Sequence, residues 1–174
     1  MTLQLRDPSP ADLAALHATL SFGSVRMPGT PRYVPIGPSW PVDLWPDHIW
    51  FAAVASGDEP IALAVLHGGN ERDRVASISL LHAPDASNDL LGEACEQFSA
   101  AALDRWPLRR LVWPVVAGSA TEEVASAAGF DRAMVLTDHE VVGGRRCDVS
   151  YLVRDRDPAS AGRSDGLGRI LATT

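Results

Sequence analysis

The chain has 174 residues, 46% of them hydrophobic and 21% charged, and a formal net charge of −7. That length suits one folded domain, and that balance excludes an intrinsically disordered chain. All 15 basic residues are arginines, which excludes lysine nucleophiles and Schiff bases, and the acidic excess argues against non-specific binding to nucleic acid or anionic membranes.

Residues 3–6 read as a short strand, ended by Pro8-Ser9-Pro10. Leu13, Leu16 and Leu20 recur at helical spacing over 12–20. Residues 23–47 carry Pro28, Pro31, Pro35, Pro38, Pro41 and Pro46 and read as a long irregular loop. Its rings, Tyr33, Trp40 and Trp45, are too apolar for a solvated linker and are candidates for a substrate-contacting wall.

Three strands are expected next, over 49–55, 61–66 and 74–82. Ser56 to Pro60 reads as the first connecting turn and Gly68-Gly69-Asn70 as the second. An amphipathic helix spans 88–105, with Ser87 as its N-cap. A strand over 109–116 and a short helix over 119–128 follow, and Gly129 suits the left-handed position past a helix end. Strands 131–142 and 145–153 flank Gly143-Gly144, a hairpin signal. Residues 1–157 thus form one domain, and 158–174 read as a flexible tail.

This order specifies a mixed α/β (α+β) domain around a largely antiparallel sheet. Strands 74–82 and 109–116 are joined through a helix and should run parallel. Pro114 lies inside the second of them, where a proline removes a ladder hydrogen bond.

No apolar run approaches the ~20 residues of a membrane span. The first residues lack the basic start and apolar core of a secretory signal. Cys95 and Cys147 make neither a disulfide framework nor zinc-ligand spacing, so a reduced, cytoplasmic protein without a metal is expected.

The stretch Gly118-Ser119-Ala120-Thr121, seven further residues, then Gly129-Phe130 resembles a motif of the GNAT superfamily of acyl-CoA-dependent N-acyltransferases. The hairpin that follows, with Asp148 and Tyr151, is similar to the ribosomal-protein N-terminal acetyltransferase branch. The resemblance implies a GNAT-like sheet flanked by helices and a cleft between strands 74–82 and 109–116. It implies that pantetheine pairs with the backbone of Leu80, Leu81 and His82, and that pyrophosphate sits on Ser87, Asn88, Leu90, Leu91 and Gly92. Gly118 and Thr121 complete the cofactor contacts.

The family's phosphate loop reads Gln/Arg-x-x-Gly-x-Gly/Ala. Here Ser87 stands at the first position and Leu90 at the middle glycine; Gly92 is kept, and Asp89 adds a carboxylate. The tyrosine that many relatives use to protonate the leaving thiolate falls on Ala125. His82 is the candidate general base, because imidazoles titrate near neutrality.

Two functions follow. One is acyl transfer from acetyl-CoA or another acyl-CoA to a small amine or peptide N-terminus, with the acidic surface favouring a cationic acceptor. The other is a GNAT-fold binding or regulatory module that has lost acyl-CoA chemistry, or a protein using the cleft for another reaction. The oligomeric state is left open, with a dimer as one option.

Overall fold

A computed structural model describes residues 3–6, 9, 11, 24–26, 33–35, 49–54, 60–70, 72–82, 86–142 and 144–157. Nine strands and two helices are described: β1 (Gln4–Arg6), β2 (Ser24–Arg26), β3 (Tyr33–Pro35), β4 (Ile49–Val54), β5 (Pro60–Asn70), β6 (Val75–His82), α1 (Asn88–Arg105), β7 (Arg110–Val116), α2 (Ala120–Ala127), β8 (Asp131–Val142) and β9 (Arg145–Asp155). Seven strands form one sheet in the order β1-β4-β5-β6-β7-β9-β8, and all its neighbours are antiparallel except β6 and β7. This is the mixed, largely antiparallel sheet expected from the sequence.

Two expectations are corrected. The proline-rich loop contains regular structure: β2 and β3 form a separate two-stranded antiparallel sheet with Val25 opposite Val34. Prolines punctuate that segment, but Ser24-Val25-Arg26 and Tyr33-Val34-Pro35 are short enough to pair between them. The turn expected at Gly68-Gly69-Asn70 instead lies at Arg72–Arg74, and β5 runs on to Asn70. The glycines coincide with a register shift between His67 and Asn70, where a bulge needs backbone freedom. The helix expected over 12–20 and the tail 158–174 lie outside the described residues.

The core lies between α1 and one face of the sheet. Leu91, Ala94, Cys95, Phe98, Ala102 and Leu103 of α1 are buried together with Ala62, Ala64 and Leu66 of β5, Ala76 and Ile78 of β6, and Leu111, Trp113 and Val115 of β7. The helical spacing of the first set and the two-residue spacing of the strand sets place them on facing surfaces. Truncating Phe98 to alanine would cost roughly 3–5 kcal/mol. Burial pushes the Cys95 thiol up to about 12, so it stays protonated and inert.

Arg154 fastens β9 to both helices. Its Nη1 donates to Ser99 Oγ of α1 at 2.6 Å and to the Ala128 carbonyl at the end of α2 at 2.6 Å. The end of α2 is a Schellman motif: Phe130 N–H donates to the Ala125 carbonyl, Gly129 N–H to that of Ser126, and Gly129 has φ +80°. Phe130 then stands edge-on to Trp113, 5.7 Å between ring centres. The Gly129-Phe130 pair therefore stops a helix and anchors it to β7.

Candidate functional site: a cleft between two parallel strands

Strands β6 and β7 pair over three residues only, Val75, Ala76 and Ser77 opposite Arg110, Leu111 and Val112. The alternation of hydrogen bonds along β7 sets this limit. Ala117 N–H donates to the Asp148 carbonyl and Arg156 N–H to that of Arg109, so the odd-numbered residues of β7 bond to β9. The even-numbered residues, Arg110, Val112 and Pro114, direct their backbone groups toward β6. Arg110 N–H shares the Arg74 carbonyl, at 3.4 Å, with the N–H of Arg109, at 2.7 Å, just before the strand begins. In this register the even residues of β6 face β7, and the Ile78 carbonyl would need its next donor from residue 114. That residue is proline and has no N–H.

Pro114 thus stops the parallel ladder while leaving the β7–β9 ladder intact. Beyond it, Leu80 belongs to the set of β6 residues whose backbone groups turn toward the side from which β7 has diverged, and among the described residues the β6–β7 ladder does not reach it. Leu81 belongs to the alternate set, faces β5 and stands opposite Leu63. Strand alternation thus sets Leu81 apart from Leu80 and His82, the three residues expected together from the sequence. His82 is half-buried at the strand end.

The start of α1 lies directly after the cleft strand. Ser87 is its N-cap, and Ser87 Oγ accepts the Leu90 N–H at 3.4 Å. Leu91 N–H donates to the Ser87 carbonyl at 3.0 Å, and the Leu91 side chain lies in the core at 2% exposure. The N–H groups of Leu90 and Leu91, two of the expected cofactor contacts, are thus already bonded within the chain. A side-chain cap and the first helical bond satisfy them. Asn88 and Asp89 keep the first-turn donors, and both are exposed. Gly92 faces the other helix: a Cβ there would meet Ala127 Cβ at 3.6 Å. That is an ordinary van der Waals distance, so the packing of α1 on α2 does not require a glycine there.

Between those helices runs a groove of about 550 Å³ lined by Asn88, Asp89, Gly92, Glu93, Glu96, Glu123, Val124 and Ala127. Four carboxylates and no base line it, a surface that repels phosphate.

The turn from β7 into α2 is held by a carboxylate. Gly118, at φ +73°, donates its N–H to Glu122 Oε2 at 2.5 Å, while Glu122 Oε1 accepts Arg132 Nε at 2.8 Å. Ser119 Oγ accepts the Glu122 N–H in return. The hydrogen bond from Gly118, aided by the nearby Arg132 guanidinium, holds the Glu122 carboxyl below the usual carboxylate range. Gly118 thus has no free N–H for a cofactor, and Thr121 is half-buried within the first turn. Sequence reading missed Glu122, although Ser119-x-x-Glu122 is a capping-box spacing that marks it. The position expected to be the family tyrosine is Ala125, fully buried in the core.

On the opposite sheet face, Tyr151 stands across from Pro114, with His139 edge-on at 6.3 Å between ring centres. Asp148 Oδ1 accepts the Asp138 N–H at 2.9 Å. Tyr33 is placed by its backbone in β3, while Trp40 and Trp45 lie outside the described residues. Among the described residues no cluster of three or more His, Cys, Asp or Glu is arranged to hold a metal, and no helix is long and apolar enough to cross a membrane.

No protein-family model matches this chain, and no curated protein matches it. Solved structures do. A GNAT superfamily phosphinothricin acetyltransferase from Sinorhizobium meliloti, in complex with AcCoA, is 15% identical, with a TM-score of 0.72 and coverage of 98% of each chain. A probable acetyltransferase is 19% identical over 88% of this chain and 93% of its own, with a TM-score of 0.69. A chimera of the spermidine N-acetyltransferase from Vibrio cholerae is 18% identical over 89% and 96%, with a TM-score of 0.63. At these identities the likeness is one of architecture. Together with the opened parallel pair, it gives this chain the fold of the GNAT acetyltransferases.

Proposed function

We propose that this protein is an acyl-CoA-dependent N-acyltransferase of small cationic amines that grips its donor through the thioester arm and only weakly through the nucleotide. The observation that carries this reading is the split at Pro114. It leaves the backbone groups of Leu80 on the side where β7 no longer pairs, and the N-terminus of α1 follows soon after in the chain. An extended amide chain such as pantetheine pairs with such groups as an added strand would. Two first-turn donors, on Asn88 and Asp89, remain for an anion.

The acceptor amine attacks the thioester carbonyl, the C–S bond breaks, and CoA leaves as thiolate. His82, half-buried at the end of β6, is the candidate to take the ammonium proton. Ala125 offers no acid, so the thiolate takes its proton from water or from His82 itself. The acidic surface draws cationic acceptors, in keeping with the spermidine acetyltransferase among the structural neighbours. Tyr33, Trp40 and Trp45 are assigned to the acceptor wall, and two free thiols, Cys95 and Cys147, suit a reducing cytoplasm.

A second reading has a specific observation in its favour. The Ser87 cap on Leu90 N–H, with Asp89 and the acidic groove beside it, opposes the nucleotide half of acyl-CoA. On that reading the fold is kept for binding, and acyl transfer is lost. One experiment separates the two: thiol release from acetyl-CoA with spermidine and a peptide N-terminus as acceptors, alongside thermal shift with acetyl-CoA. Slow turnover that His82→Ala abolishes supports acyl transfer. Neither turnover nor a shift at millimolar acetyl-CoA overturns it.

A further inference from the structure

Edge strand β8 is distorted at one place. Leu136 stands opposite Val149 and Glu140 opposite Cys147, so Thr137, Asp138 and His139 together face the single residue Asp148. Within this bulge Asp138 has φ +51°, a conformation that residues other than glycine enter at a cost. Side chains of β9 hold both of its backbone groups. Asp138 N–H donates to Asp148 Oδ1 at 2.9 Å, and the Asp138 carbonyl accepts Arg146 Nη1 at 3.3 Å.

The bulge re-aims one side chain. Had the register at Leu136 continued, His139 would stand opposite Arg146, three residues on from Leu136 and therefore on the other face. That other face is the one turned to α1. Instead the exposed His139 ring meets Tyr151, 6.3 Å between centres and at 66°. Tyr151 stands opposite Pro114, and their chain neighbours Leu152 and Trp113 are buried in the core under α1. Tyr151 and Pro114 therefore share the face that α1 leaves uncovered. Pro114 is exposed, and it is also the residue at which the β6–β7 ladder stops. The start of α1, where the anionic donor would sit, lies on the helix side of the sheet. The ring side is left for the acceptor.

Tyr151 lies one strand from β7 and His139 two, so the pair stands roughly 5–10 Å across the sheet from Pro114. A group held there is not the nitrogen that reacts at the β6–β7 split, but it can belong to the same molecule. A tyrosine face attracts an ammonium within ~6 Å of its centre, and the chain as a whole is acidic. We propose that Tyr151 is a subsite for a second cation of the acceptor, which is a diamine or polyamine, and that His139, set by the Asp138 bulge, is the positioning residue that orients the Tyr151 ring. The proposal rests on the acyltransferase reading.

The test measures thiol release from acetyl-CoA by the full chain, with spermidine and with butylamine, which has no second cation. The wild-type KM for spermidine should be at least ~10-fold below that for butylamine. Tyr151→Leu and His139→Ala should each close most of that gap. Tyr151→Phe, which keeps the ring face, and His139→Phe, which keeps a ring against it, should hold it open. Asp148→Ala, which releases the bulge, should narrow the gap, and Asp148→Asn, which still accepts the Asp138 N–H, should restore it. His139 is exposed, so His139→Ala decides the matter should Tyr151→Leu not fold. A wild type that treats the two amines alike, or a gap that survives His139→Ala, would overturn the proposal. If no acceptor turns over, the acyltransferase reading itself fails, and calorimetry with spermidine decides the subsite. Binding that His139→Ala weakens and His139→Phe retains supports it; no binding, or equal binding in the two variants, overturns it.

Discussion

The Glu122 carboxylate accepts the Gly118 backbone N–H at 2.5 Å and, through its other oxygen, the Arg132 guanidinium. One buried side chain thus ties the far wall of the cleft to the start of β8. Glu122→Ala leaves the turn donor unpaired and should cost about 1–3 kcal/mol in urea unfolding at neutral pH. The pH dependence has a definite sign. A carboxyl lowered in the folded state stabilises above its unfolded pKa, and that stability is lost as pH falls through the lower folded value. The stability gap between wild type and Glu122→Gln should therefore shrink as pH falls from 7 to below about 4. A gap independent of pH would mean that the charge of Glu122 contributes nothing.

Gly92→Ala distinguishes packing from phosphate contact. The added methyl meets Ala127 Cβ at 3.6 Å, an ordinary contact. Alanine also loses less backbone entropy in a helix, so the variant should gain about 0.5–1 kcal/mol. Calorimetry with acetyl-CoA should show unchanged affinity. A clear loss of affinity without a gain in stability would restore Gly92 to the cofactor site.

Acetyl-CoA itself should bind weakly, with Kd no tighter than about 100 μM, or ~5.5 kcal/mol of binding. The triple change Ser87→Arg, Asp89→Gly, Leu90→Gly removes the cap, the carboxylate and the branched side chain together. Affinity should improve at least about tenfold while the melting temperature falls, because the N-cap alone is worth ~1 kcal/mol. A low-micromolar wild-type Kd, or equal affinity in the triple variant, would show that these three residues do not limit binding.

The β8–β9 turn should reject β-branched residues. Gly144 adopts φ +80°, and a Cβ added there would meet no atom within 4 Å, so conformation and not space sets the penalty. Replacing Gly143-Gly144 by Val-Val should cost more than replacement by Asn-Gly, by roughly 1–2 kcal/mol in thermal unfolding. Equal stabilities would place the turn elsewhere.

Removal of residues 158–174 should leave the melting temperature within a few degrees. Their only large aliphatic residues are Leu167, Ile170 and Leu171, too few to offset an ordering entropy of ~1–2 kcal/mol per residue. A loss above about 2 kcal/mol would show that the tail docks on the domain.

Most of the order of elements was legible in the sequence because those signals are local; β2 and β3, within a proline-rich stretch read as loop, were not. Periodic apolar residues marked α1, Ser87 capped it, and Gly129 ended α2 in the left-handed conformation that glycine reaches cheaply, while the Ser119 cap of α2 went unread. Pro114 was visible as a missing donor, but only the register of β6 on β7 showed which acceptor it deprives, the Ile78 carbonyl. The same limit applied to Leu81, where strand alternation and not identity decides which side the backbone faces. Ser87 is a good cap by residue type, yet its consumption of the Leu90 donor is a matter of side-chain geometry. Glu122 lies ten residues from Arg132, and their pairing depends on how α2 settles against the sheet. Local chemistry therefore marked most of the elements, though not β2, β3 or the end of β5. Tertiary packing decided which backbone donors stay free to meet a ligand, because each hydrogen-bonding group is spent on whichever partner the fold brings nearest.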